Sequence, residues 1–143
     1  MLHVAHTVHI DAPPAKVWEV MVDVERWPSF APQLRSIERR EAGPLRLGSS
    51  ARVTPNGFFG SDWVVTEYSD GRSFAWETNA GPGWHMAAGH VVEPETGGAR
   101  VTLSLKSSGL LATLLSPILG VIFRRNTRQE GEGMKAYCEG AMP

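Results

Sequence analysis

The sequence predicts an α+β fold: a seven-stranded, curved antiparallel sheet wrapped around one long C-terminal helix, with two short helices between the first and second strands. Three features of the chain carry this prediction. Between Leu34 and Lys106, short runs of alternating character are separated by clusters of Gly, Pro, Asn and Asp, the pattern of strands joined by tight turns. From Ser116 to about Ala141 apolar side chains recur at helical spacing instead. Ahead of the meander, prolines cut the chain into two short segments, each anchored by a tryptophan.

The elements follow in order. His3 to Ile10 alternates, with Val4, His6, Val8 and Ile10 on one face and His3, Ala5, Thr7 and His9 on the other, which gives the first strand. Asp11-Ala12-Pro13-Pro14 ends it and opens a helix in which Val17, Trp18, Met21 and Val22 fall at helical spacing, up to about Asp23. A second short helix and an extended turn follow through Trp27-Pro28-Ser29-Phe30-Ala31-Pro32, because a residue before proline is pushed out of the helical region. Six strands are expected at about Ser36 to Glu41, Ser49 to Thr54, Gly60 to Tyr68, Ser73 to Thr78, Trp84 to Glu93 and Arg100 to Lys106. Their turns carry Gly43-Pro44, Pro55-Asn56-Gly57, Ser69-Asp70-Gly71, Gly81-Pro82-Gly83 and Glu95-Thr96-Gly97-Gly98. Leu110 to Leu115 is a short apolar helical turn leading into the long helix.

In that last helix Ser116-Pro117 reads as an N-cap followed by proline at the first helical position. Ile118, Leu119, Ile122, Phe123, Thr127, Glu130, Met134 and Cys138 form the face to be buried, opposite Arg124, Arg125, Arg128, Glu132, Lys135 and Glu139. Gly131 and Gly133 bring no side chain to that face and lower helix propensity by about 1 kcal/mol each. They predict unfilled volume beneath the second half of the helix, and hence a cavity there.

Composition narrows the function classes. The 143 residues fit one domain over 1–143, long enough to bury roughly two thirds of the unfolded surface. With 14 basic and 15 acidic side chains and a net charge of −1, no basic footprint for nucleic acid is present. The N-terminal residues lack the pattern of a secretory signal, and no apolar run is long enough for stable membrane insertion, so a cytoplasmic location is expected. The single cysteine, Cys138, excludes an internal disulfide framework and is read as a small core residue. Oligomeric state is not legible.

His3, His6 and His9 cannot converge on a strand, and His85 and His90, five apart, point to opposite faces; no metal and no cofactor is expected. Gly131-Glu132-Gly133-Met134-Lys135-Ala136 matches a dinucleotide-binding pattern formally, but it lies inside a helix with no strand before it. No phosphate loop and no nucleophile elbow occurs. What remains is an aromatic set: Phe74, Trp76 and Thr78 share one face, and Trp84, Met86, Ala88 and His90 share another. Core packing accounts for most of them singly, whereas together they fit the wall of an apolar pocket. The expected lining is Trp27, Phe30, Phe58, Phe59, Trp63, Phe74, Trp76, Trp84, Met86, His90, Phe123, Thr127, Glu130, Gly131 and Met134. His90 and Glu130 are its polar members and its candidate acid/base groups.

Ile10-Asp11-Ala12-Pro13-Pro14-Ala15-Lys16-Val17-Trp18, followed by Asp23-Val24-Glu25-Arg26-Trp27-Pro28, resembles the opening of the polyketide cyclase/dehydrase and lipid-transport group of the START-like, birch-pollen-allergen-like superfamily. Phe30 fills the aromatic position that often follows Trp-Pro-x in that group. Gly131 stands where many relatives carry leucine, which implies a less filled helix–sheet interior. The resemblance spans the whole chain and implies the helix-grip fold. Its functional range is broad. The leading expectation is binding of a small hydrophobic molecule such as a lipid, polyketide or isoprenoid between sheet and terminal helix. The alternatives are a cyclase or dehydratase that enolises a bound chain with His90 or Glu130, and a protein-interaction domain of the co-chaperone kind.

Overall fold

The computed structural model describes residues 2–141. Its elements are β1 (Leu2–Ile10), α1 (Pro14–Val22), a 3₁₀ helix (Val24–Ser29), β2 (Leu34–Arg39), β3 (Ser50–Pro55), β4 (Ser61–Ser69), β5 (Ser73–Gly81), β6 (Trp84–Glu95), β7 (Gly98–Ser108), α2 (Leu110–Leu114), α3 (Ser116–Ala136) and a π-helical turn (Tyr137–Ala141). All seven strands form one antiparallel sheet in the order β1-β7-β6-β5-β4-β3-β2. The predicted meander is present, and the first strand pairs with the last.

Strand ends differ from the sequence expectation by at most three residues. β2 ends at Arg39 rather than at Glu41, because Glu41 turns its carboxylate back to accept from the Ser50 N–H at 2.9 Å and to pair with Arg39. At the other end of the chain Ser116 is not an N-cap. Leu115 holds that position without a side-chain cap and Ser116 is already helical, so Pro117 still lies in the first turn, where its missing N–H leaves no bond unmade.

α1 lies against β6 and β7 and buries Val17, Trp18, Val20 and Met21. Trp18 meets Tyr68 and Phe74 edge-on, with centroids at 5.9 and 6.5 Å. Trp27 is buried among Phe74, Trp76 and His90, and its indole N–H donates to the Met21 carbonyl at 3.1 Å.

Two expectations about α3 fail. Ile118, assigned to the buried stripe, is 62% exposed. Gly131 and Gly133 do not border empty space. A Cβ on Gly131 would sit 2.8 Å from His6 Cδ2 and 3.6 Å from Leu103 Cδ1, and one on Gly133 would collide with the Phe30 carbonyl. The two glycines bring α3 into close contact with β1 and with the turn before β2, which a larger residue would hold apart. Among the described residues no helix is long and apolar enough to cross a membrane.

Candidate ligand cavity and its polar end

The apolar side chains divide into two buried groups. A large one surrounds Trp18, Trp27, Phe74 and Met134, and a small one joins Val4, Ala112, Leu119 and Phe123. Between them, under the N-terminal two thirds of α3, lies a cavity of about 370 Å³ walled by both groups. That is the size range of small-molecule sites.

The wall is built by strand alternation. On β5 and β6 the register sets Thr78 opposite Met86, Trp76 opposite Ala88 and Phe74 opposite His90, while β7 adds Leu105 beside Ala88 and Leu103 beside His90. Residues two apart share a face, so one run of the sheet presents Met86, Ala88 and His90 inward together. Eleven expected lining residues do border the cavity: Trp27, Phe58, Phe59, Trp63, Trp76, Trp84, Met86, His90, Phe123, Thr127 and Glu130. The other four do not. Phe74 stacks behind His90 at 4.3 Å, Phe30 packs on Tyr137 at 5.5 Å, Met134 is fully buried in the large group, and Gly131 abuts His6. The sequence reading passed over Ile37, Val53, Leu103 and Leu105, which the alternation of β2, β3 and β7 could have flagged. Gln33 and Asn126 also line the wall; they lie 93 positions apart and carry no shared sequence signal.

The polar groups gather at one end. His90, 3% exposed, faces Glu130, with Nε2 3.7 Å from Oε1. The His90 Nδ1 lies 3.2 Å from the Phe74 carbonyl, which can only accept, so Nδ1 carries the proton and Nε2 presents a lone pair toward Glu130. Burial pushes the His90 imidazole down to about 4, against the smaller opposing effect of the Phe74 carbonyl. Burial pushes the Glu130 carboxyl up to about 7. Both shifts favour the neutral forms, because desolvating two charges costs more than their attraction across this gap returns. Nearby, the Gln33 amide N–H donates to the Asn126 carbonyl at 3.2 Å, which leaves Gln33 Oε1 buried and without a partner. The pocket therefore offers an apolar barrel, one carboxyl poised between protonation states near neutral pH, and two acceptors, His90 Nε2 and Gln33 Oε1. Among the described residues no group of three or more His, Cys, Asp or Glu side chains is placed to hold a metal ion.

Residues 1–139 match the family model described as polyketide cyclase / dehydrase and lipid transport. The chain belongs to that family. No curated protein matches this family member in sequence. Solved structures share its fold at low identity. TTHA0849 from Thermus thermophilus superposes with a TM-score of 0.80 at 19% identity, covering 99% of this chain and 100% of its own. A START superfamily protein from Mycobacterium smegmatis gives 0.80 at 13%, covering 98% and 99%. The di-domain ARO/CYC BexL from the BE-7585A biosynthetic pathway gives 0.73 at 18%, covering 99% of this chain and 51% of its own. The family and the shared helix-grip fold fit a hydrophobic-ligand-binding or polyketide-cyclase-type domain.

Proposed function

We propose that the chain is a single ligand-binding domain that takes up a small hydrophobic molecule of the lipid, polyketide or isoprenoid kind. The ligand's body lies against Trp63, Trp76, Met86 and Phe123, and one oxygen function lies at the His90–Glu130 end. The observation that supports this is the 370 Å³ cavity between sheet and α3, lined mainly by apolar side chains, with His90 and Glu130 together in its wall. Protonated Glu130 donates to a ligand oxygen and His90 Nε2 accepts from a ligand hydroxyl, so a neutral alcohol, phenol or ketone fits better than a carboxylate, which Glu130 repels once ionised.

Titration of an apolar fluorophore tests the reading. The parent protein is expected to bind one equivalent. Ala88→Phe, which fills the wall between Trp76 and Leu105, should lose at least tenfold in affinity while melting within a few degrees of the parent. Equal affinity in parent and variant would place the probe elsewhere and refute the cavity as the site.

The His90–Glu130 pair favours a second reading, an enolising enzyme. His90 Nε2 would remove a proton from the carbon beside a bound ketone as Glu130 delivers its own proton to the carbonyl oxygen; the C–H bond breaks, the O–H bond forms, and the total charge of ligand plus pair is unchanged. Exchange of that α-hydrogen with deuterated solvent, lost in Glu130→Gln, is the readout. Ligand binding without exchange leaves the carrier reading alone.

A further inference from the structure

We propose that the rim of the cavity mouth is a docking face for an anionic lipid surface. Three segments border the cavity at this side: the β3–β4 loop with Phe58 and Phe59, the β5–β6 turn from Ala80 to Trp84, and α3, whose preceding helix α2 is tied to that turn by the Leu111 N–H donating to the Gly83 carbonyl at 3.0 Å. Phe59 is 99% exposed and Phe58 68% exposed. On α2 and α3, Leu110, Leu114, Ile118 and Val121 are each more than half exposed, and among the described residues no side chain covers them.

The pattern on the helices is ordered. On α3, Ile118, Val121, Arg125 and Arg128 recur at steps of three, four and three, which aligns them on one outward stripe that is apolar in its first half and cationic in its second, with exposed Arg124 alongside and exposed Leu114 of α2 ahead of it. Ile122, beside that stripe, lines the cavity itself. Residues 55–61, 79–84 and 109–129 together contain three arginines and no acidic residue, in a chain whose net charge is −1. An apolar face bordered by arginine is suited to the interfacial zone of a bilayer, with the apolar side chains below the headgroups and the guanidinium groups at the phosphates.

Charge argues against a second copy of this chain as the occupant. A two-fold contact through this face would gather six arginines, three from each copy, in one interface whose contact segments carry no carboxylate to pair them. Two separate apolar ridges flanking an open mouth also suit a fluid surface that can conform to both. Docking through the rim does not depend on what the cavity holds.

Co-sedimentation of the full chain with phosphatidylcholine vesicles, with and without phosphatidylglycerol, tests the proposal. Binding is expected with the anionic vesicles and should weaken as salt is raised. Arg124→Gln, Arg125→Gln and Arg128→Gln should each weaken anionic binding about fivefold. Leu114→Ser with Ile118→Ser should weaken it further, at unchanged fluorophore uptake, since neither residue lines the cavity. The lipid and salt dependence needs no variant, so a misfolded mutant does not blunt the test. Absence of binding to anionic vesicles at low salt overturns the proposal. A dimer in sedimentation analysis that Ile118→Ser converts to monomer overturns it too, by giving the face to a second copy.

Discussion

Replacing Glu130 with glutamine isolates the electrostatics of the cavity, because the amide copies the shape of the protonated acid but cannot ionise. In the unfolded chain the carboxyl titrates near its ordinary value of 4.5, and in the fold near about 7. An acid raised on folding stabilises the fold fully below 4.5, and that contribution is lost as pH rises through about 7. At about 1.4 kcal/mol per pH unit the loss over this window is about 3 to 4 kcal/mol, an upper figure since the side chain keeps 18% exposure. His90 runs the other way. Depressed from 6.5 to about 4, it contributes stability above 6.5 that is lost as pH falls through about 4. In the parent the two slopes oppose each other between about 4.5 and 6.5, and the pair leaves stability nearly level there. Glu130→Gln removes only the falling slope. Urea unfolding at pH 5 and pH 8 should therefore find parent and variant similar at pH 5 and the variant more stable at pH 8, by about 2 to 3 kcal/mol. A difference that does not change with pH would mean that Glu130 ionises as an ordinary hydrated carboxylate, and both the dry polar end and the acid/base reading would fail with it.

Other perturbations address the framework. Trp18→Ala, which empties the space between α1, Tyr68 and Phe74, should cost about 3 to 5 kcal/mol in chemical unfolding, and parent-like stability would mean α1 is peripheral. Gly131→Leu should cost about 1 to 3 kcal/mol by driving a side chain into His6 and Leu103, with fluorophore affinity unchanged. Gly133→Ala should cost at least as much despite alanine's better helix propensity, since the obstacle is the Phe30 backbone carbonyl and not a movable side chain. A stabilised Gly133→Ala would show that α3 stands further from that turn.

The order and type of the elements were legible along the chain because each rests on local physics. Alternation marked the strands, glycine turns with positive φ at Gly57, Gly71 and Gly97 marked the hairpins, and Pro13-Pro14 marked the entry to α1. Alternation also grouped Met86, Ala88 and His90 on one face, and helical spacing grouped Phe123, Thr127 and Glu130 on another, so much of the cavity wall could be named from spacing alone. What spacing cannot hold is the distance between elements. Gly131 and Gly133 looked like missing volume because a sequence records the absent side chain and not the neighbour that moves in; only the approach of α3 to His6 and Phe30 turned them into contacts and shifted the cavity toward the helix's N-terminal end. The same holds for chemistry. His90 and Glu130 could each be pointed inward by periodicity, but their 3.7 Å separation, the proton fixed on Nδ1 by the Phe74 carbonyl, and the burial that shifts each toward its neutral form arise only where β5, β6 and α3 meet, because desolvation depends on everything that surrounds a group and not on its place in the chain.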